Sequence, residues 1–130
     1  MGPNQSPVFT RVPVCAVAQI SAANTNRDGT GTIGTIYTAT ADGARIDGIR
    51  VKAIVTTTAG MIRIYINDGS GIKLWKEFVV TAITVAAGVA GYEYFLDLTQ
   101  TPLLLKSGDI LLASTHNAET FNVFAHGGQF

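Results

Sequence analysis

Few side chains in this sequence can do acid–base, nucleophilic or metal chemistry, and their spacing suits it poorly. His116 and His126 are the only histidines, Cys15 is the only cysteine, and Glu119 is the carboxylate nearest to either histidine along the chain. A metal site would need both imidazoles to meet across a hairpin, with Glu119 or another carboxylate aimed inward. The favoured reading is plainer: His116 is a polar loop residue and His126 a polar strand-end residue, with no metal bound. Cys15 stands among Val14, Ala16 and Val17, which reads as a buried, unreactive thiol, and nothing local supports a thiol–imidazole pair with either histidine. A single cysteine also excludes an intrachain disulfide.

Asp28-Gly29-Thr30-Gly31 and Asp68-Gly69-Ser70-Gly71 each offer one carboxylate where calcium sites gather several, so both read as turns. The sequence holds no Gly-x-Ser-x-Gly elbow, Walker loop, dinucleotide fingerprint or His-Glu-x-x-His helix. Neither an enzyme nor a cofactor is expected. Tyr65, Trp75, Tyr92 and Tyr94 are the aromatics able to stack on a sugar ring or fill an interface. Because their strands carry Ile and Leu on alternate positions, packing in the core or between subunits is the favoured reading.

The elements that position these residues read as strands. Thr, Val and Ile supply 39 of 130 residues, whereas Glu and Lys number three and four, so the composition is that of an all-β chain. Val12, Val14, Ala16, Ala18 and Ile20 alternate as the first strand, and residues 32–40 form the second after an exposed loop over 24–31. Residues 45–57 make a long strand with Ile49, Val51, Ala53 and Val55 inward. Ile62, Ile64 and Ile66 alternate before the turn Asn67-Asp68-Gly69-Ser70-Gly71, a hairpin signal whose partner strand runs over 72–80. On that partner Ile72, Leu74, Phe78 and Val80 share one face and Lys73, Trp75 and Glu77 the other, while Lys76 breaks the row at a bulge or strand edge. An irregular connection over 81–90 precedes a strand over 92–98, a short apolar segment at 103–105, and strands over 110–115 and 120–126. About eight strands without an amphipathic helix between them predict a single antiparallel β-sandwich of the jelly-roll type over 12–130. Residues 1–11, with Pro3 and Pro7 ahead of Val8, Phe9 and Arg11, predict an extended arm.

Charge narrows the partners. Nine basic residues balance nine acidic ones and only 14% of the chain is charged, so the basic footprint of a nucleic-acid binder is missing. The weakly polar stretch over 78–91 is too short to cross a bilayer, and the first ten residues are unlike a secretory signal. A neutral sandwich with so few charges and a proline-bearing arm suits permanent assembly.

Three segments carry a family resemblance: Thr40-Ala41-Asp42-Gly43-Ala44-Arg45-Ile46-Asp47-Gly48-Ile49-Arg50-Val51, then Gly60-Met61-Ile62-Arg63-Ile64-Tyr65-Ile66, then Ala113-Ser114-Thr115-His116-Asn117-Ala118-Glu119-Thr120-Phe121-Asn122-Val123 with Ala125 and Gly127-Gly128. Over roughly residues 32–130 the chain resembles small virion proteins of tailed bacteriophages, in particular capsid decoration, or cement, proteins. The resemblance implies a homotrimer on the capsid surface, made in the host cytoplasm, with the major capsid protein as partner. It also implies that Pro3, Pro7, Val8, Phe9 and Arg11 belong to a docking arm. The alternative is a carbohydrate- or receptor-binding module of a phage tail, with Tyr65, Trp75, Tyr92 and Tyr94 facing the glycan.

Overall fold

The computed structural model describes residues 10–130, and the arm residues Pro3, Pro7, Val8 and Phe9 lie outside them. Nine strands follow in order: β1 (Val12–Ile20), β2 (Gly34–Thr38), β3 (Ala44–Ala53), β4 (Gly60–Asn67), β5 (Ile72–Val80), β6 (Glu93–Asp97), β7 (Leu103–Leu105), β8 (Ile110–Thr115) and β9 (Phe121–Gln129). The larger sheet runs β1-β9-β3-β6, with β7 also on β3, and the smaller runs β2-β8-β4-β5. Every pairing between named strands is antiparallel, and this order is that of a jelly roll. The ninth strand is the short apolar segment at 103–105, which pairs with β3 as β7. β6 pairs with the C-terminal half of β3 and β7 with its start, and between them Asp97 accepts hydrogen bonds from the Thr99 N–H and hydroxyl and Pro102 interrupts the ladder.

The inner faces meet in one apolar cluster that includes Ile46, Ile49, Val51, Ile62, Ile64, Phe78, Leu111, Phe121 and Val123. The alternation of Ile49, Val51 and Ala53 places them inward as expected. Ile46 is also inward although it stands an odd three positions before Ile49, because β3 bulges between Ile46 and Gly48 and shifts its phase there. A second bulge corrects the reading of β5. Tyr65 lies opposite Leu74 and Ile64 opposite Lys76, so Trp75 is the extra residue; Trp75 packs against the core, and Leu74 shares the outward side of Tyr65. Lys76 breaks the inward row because it sits at this bulge on an edge strand.

Two further expectations are corrected. β9 continues through Gly127 and Gly128 to Gln129 instead of closing at His126, since the β3 backbone approaches so closely that glycine is required there. A Cβ on Gly127 would lie 1.8 Å from the Arg45 carbonyl oxygen. Cys15 is exposed, not buried, because odd positions of β1 face away from the core while Ala18 and Ile20 face it.

Candidate interaction face

The outer face of the larger sheet has no element of the described chain packed over it, and register sets its side chains in rows. Val17, Phe124, Arg50 and Phe95 stand directly across from one another on β1, β9, β3 and β6. Beside them run Cys15, His126, Gly48 and Asp97 on one flank, and Gln19, Asn122, Lys52 and Glu93 on the other. Facing pairs in an antiparallel sheet are close enough to touch. The Phe124 and His126 rings stack with centroids 6.4 Å apart and planes 7° from parallel. Phe95 reaches over Gly48, where a Cβ would lie 2.6 Å from its Cζ, and its ring meets His126 at 6.4 Å. The Arg50 guanidinium lies 4.8 Å from the Phe95 centroid, a cation–π contact.

The electrostatics of this face are self-contained. Arg50 Nη1 donates to Glu93 Oε2 at 2.7 Å, Lys52 lies 3.9 Å from the same carboxylate, and Gln19 Nε2 donates to Asn122 Oδ1 at 3.0 Å. Exposed ion pairs of this kind add little stability, but they leave an aromatic surface whose charged side chains balance. Val17 is 54% and Phe95 42% exposed. Such a surface recognises a partner by apolar burial, with the amides and paired charges as rim.

The smaller sheet is different, because its outer side is covered. Arg63 and Tyr65 alternate with the inward Ile62 and Ile64 on β4, yet they are 1% and 0% exposed. The loop over 21–33 folds across them. Arg63 Nε donates to Glu77 Oε2 at 3.0 Å, Nη1 to the Asn24 carbonyl at 3.2 Å, and Nη2 to His116 Nδ1 at 3.2 Å; a guanidinium only donates, so Nδ1 is the acceptor. Tyr65 donates its hydroxyl to the Asn26 carbonyl at 2.8 Å. Arg27 in the loop donates to the same Glu77 oxygen at 2.8 Å, so one carboxylate ties loop, β4 and β5 together.

Sequence reasoning singled out other residues. Tyr65 is buried under the loop, Trp75 and Tyr92 pack in or against the core, and Tyr94 closes the sandwich edge against Phe78 with centroids 5.0 Å apart. Tyr65 thus lies on the outer side of the smaller sheet and the other three on the core side, so the four share no single face. Burial pushes the Tyr92 phenol above its ordinary value, and its hydroxyl donates to the Val79 carbonyl at 2.7 Å. Of the arm, Arg11 is described: its N–H donates to the Gln129 carbonyl and its guanidinium lies 3.4 Å from Asp42. Phe95, Phe124 and Arg50 were not singled out, although alternation already set Phe95 beside Glu93 and Asp97 and Phe124 beside Asn122 and His126. Their meeting depends on β3 and β9 lying side by side, which no local pattern reveals.

The two histidines are separated. β8 and β9 belong to different sheets, so their connection is not a hairpin; His116 contacts Arg63 on the smaller sheet, while His126 stands on the outer face of the larger. Glu119 spends one oxygen on the Thr58 N–H and hydroxyl. Among the described residues no three His, Cys, Asp or Glu side chains gather as metal ligands. The aspartates of the glycine loops are engaged locally. Asp28 accepts from the Thr30 hydroxyl and N–H, and Asp68 from those of Ser70. The Ser70 hydrogen bonds, with Lys73 nearby, pull the Asp68 carboxyl down to about 2. An NMR titration is therefore expected to find its midpoint near that value and to find it moving toward about 3.9 in Ser70→Ala; an unmoved midpoint would assign the effect elsewhere.

A cleft of about 160 Å³ lies where the loop leaves β1, lined by Gln19, Ile20, Ser21, Ala22, Thr32, Ile33, Gly34, Ser114 and Thr115. It is smaller than the usual small-molecule site and has no titratable side chain. No protein-family model matches this chain, and no curated protein matches it.

Proposed function

We propose that this chain is a non-enzymatic virion structural protein that binds the outer surface of a phage capsid as a homotrimer and stabilises the shell. The observation that carries this reading is the charge-balanced aromatic face of the larger sheet, centred on Phe95, Arg50, Phe124 and His126. A surface of that chemistry suits another protein surface better than a small substrate. The sequence resemblance to decoration proteins supplies the setting, and the scarcity of formal charge over the chain agrees with a life inside an assembly. Three copies joined together would engage neighbouring shell subunits at once, so that modest single contacts sum to tight attachment. Copies bound to the assembled shell, and not to its dissociated parts, favour the shell by mass action.

The test is co-sedimentation with capsids of the phage that encodes the chain. The double variant Phe95→Ala/Phe124→Ala removes one exposed and one half-buried ring from the outer face without touching the core, and it is expected to weaken binding at least tenfold while leaving the circular dichroism spectrum unchanged. Removing residues 1–11 is expected to abolish attachment in the same assay and to leave the sandwich folded. Full binding by the double variant would reject the face, and full binding by the truncated chain would reject the arm.

A further inference from the structure

The jelly roll has four long boundaries, and three of them are protected against pairing with another chain. Edge strand β5 carries Lys73, Lys76 and Glu77 and a bulge at Trp75; β6 has five residues of which two are charged, with three-residue β7 beyond it; β2 has only five residues. Charge, bulging, shortness and proline are devices by which sheet edges avoid adding strands. β1 differs, because its one such device, Pro13, stands at its N-terminal end and leaves residues 14–20 open. It has nine residues, no charged side chain, and, among the described residues, β9 as its sole strand partner.

Pro13 fixes which backbone groups face outward. A proline in an edge strand turns its missing donor to the open side, and backbone direction alternates along a strand, so Cys15, Val17 and Gln19 present their N–H and C=O groups to that edge. The side chains agree. Five-residue β2 is too short to cover nine-residue β1, so the inward-phased residues Val12, Val14 and Ala16 remain exposed or half-exposed, and Val17 is exposed on the opposite face. A strand with apolar surface on both faces and an open hydrogen-bonding edge needs a partner of the same kind.

We propose that β1 is an intermolecular strand, pairing antiparallel with β1 of a second copy of this chain across a twofold axis. Each copy carries the same uncharged edge, and centring the pair on Ala16 sets Cys15 of one copy opposite Val17 of the other. The larger sheet then continues through both molecules, and its aromatic face doubles in width. Such a contact is isologous and yields even-numbered assemblies. It goes beyond the trimer on the capsid, because a threefold axis cannot bring β1 against β1; on a shell it would link one trimer to the next.

Cys15 makes the contact testable in the unmodified protein. In the centred register the two Cys15 residues are diagonal neighbours, about 7–8 Å apart, so a short bis-maleimide is expected to give a covalent dimer as the main product, with even-numbered species in sedimentation equilibrium. Val17→Pro removes an edge donor without touching the ladder to β9 and is expected to lower the cross-linked yield at least tenfold at unchanged circular dichroism. Should that variant unfold, Val14→Lys places a charge at the half-exposed end of the strand and is expected to do the same. Monomers at every concentration, a trimer without even-numbered species, or equal cross-linking in the folded variants would overturn the proposal. Capsid co-sedimentation is read separately, so the failure of either idea leaves the other standing.

Discussion

Replacing Arg63 with alanine is expected to destabilise the protein by about 3 kcal/mol, read as a lower urea midpoint. The guanidinium is buried and donates in three directions, to Glu77, the Asn24 carbonyl and His116. Truncation leaves the Asn24 carbonyl without its donor beneath the loop, a loss of order 1–3 kcal/mol on its own. The effect stays near the lower end for a broken buried ion pair because Glu77 keeps Arg27 as a partner. Lysine is no substitute, since one ammonium cannot reproduce the planar fork. The loop over 21–33 should respond first. The Asn24 N–H, which donates to the Thr115 carbonyl, and the Asn26 N–H, which donates to Asn24 Oδ1, are expected to lose hydrogen-exchange protection before the core strands do. An unchanged midpoint with unchanged exchange would mean that the loop is held by other contacts.

Acid should weaken the same clamp. The Arg27 guanidinium, with Arg63 beside it, holds the Glu77 carboxyl below the usual carboxylate range. A group whose folded value is depressed contributes stability that is complete above its unfolded value of about 4.3 and is lost as pH falls through the lower folded value. Wild type is therefore expected to lose this contribution below about pH 4, whereas Glu77→Gln should lack it at neutral pH and show a shallower acid limb.

Gly127→Ala is expected to be the most damaging single methyl group that can be added to the larger sheet. The new carbon would lie 1.8 Å from the Arg45 carbonyl oxygen and 2.9 Å from the Ile46 Cα. Both obstacles are backbone in a central strand, so neither can swing aside as a flexible side chain could. Relief requires the β3 bulge between Ile46 and Gly48 to open, which would disturb the inward placement of Ile46 and Ile49 together. A cost of about 3 kcal/mol or more follows from overpacking of this severity, seen as a Tm lowered by roughly 10 °C or as failure to fold. Gly69, whose added Cβ would meet nothing within 4 Å, is the control: its positive φ of 96° makes alanine there a matter of local backbone strain alone. A Gly127→Ala protein as stable as wild type would show that the two strands can separate at the bulge without cost.

Much of the sandwich could be read from side-chain alternation. Ile62 and Ile64 on β4, Phe78 and Val80 on β5, and Phe121, Val123 and Ala125 on β9 are inward as their period-two spacing requires. The Asp68-Gly69 turn joins β4 to β5 as its residues demand. Where alternation misled, a bulge intervened: Trp75 was set beside Lys73 and Glu77 but turns to the core, because the extra residue in β5 is defined only against β4. Cys15 was misjudged for another reason. Apolar neighbours suggested burial, yet its odd position in β1 put it outside, and only the pairing with β9 shows that no described residue covers it.

The residues themselves therefore determined an all-β chain, the strand faces wherever the backbone runs without interruption, and the neutral charge balance, because these depend on local periodicity and composition. Tertiary structure decided which outward faces stay exposed. Arg63 and Phe95 both occupy off-core positions, but the loop over 21–33 buries the first, while the second meets Arg50 and His126 on an uncovered sheet. That difference comes from contacts between segments tens of residues apart, whose closure is set by packing of the whole chain and leaves no short-range signature.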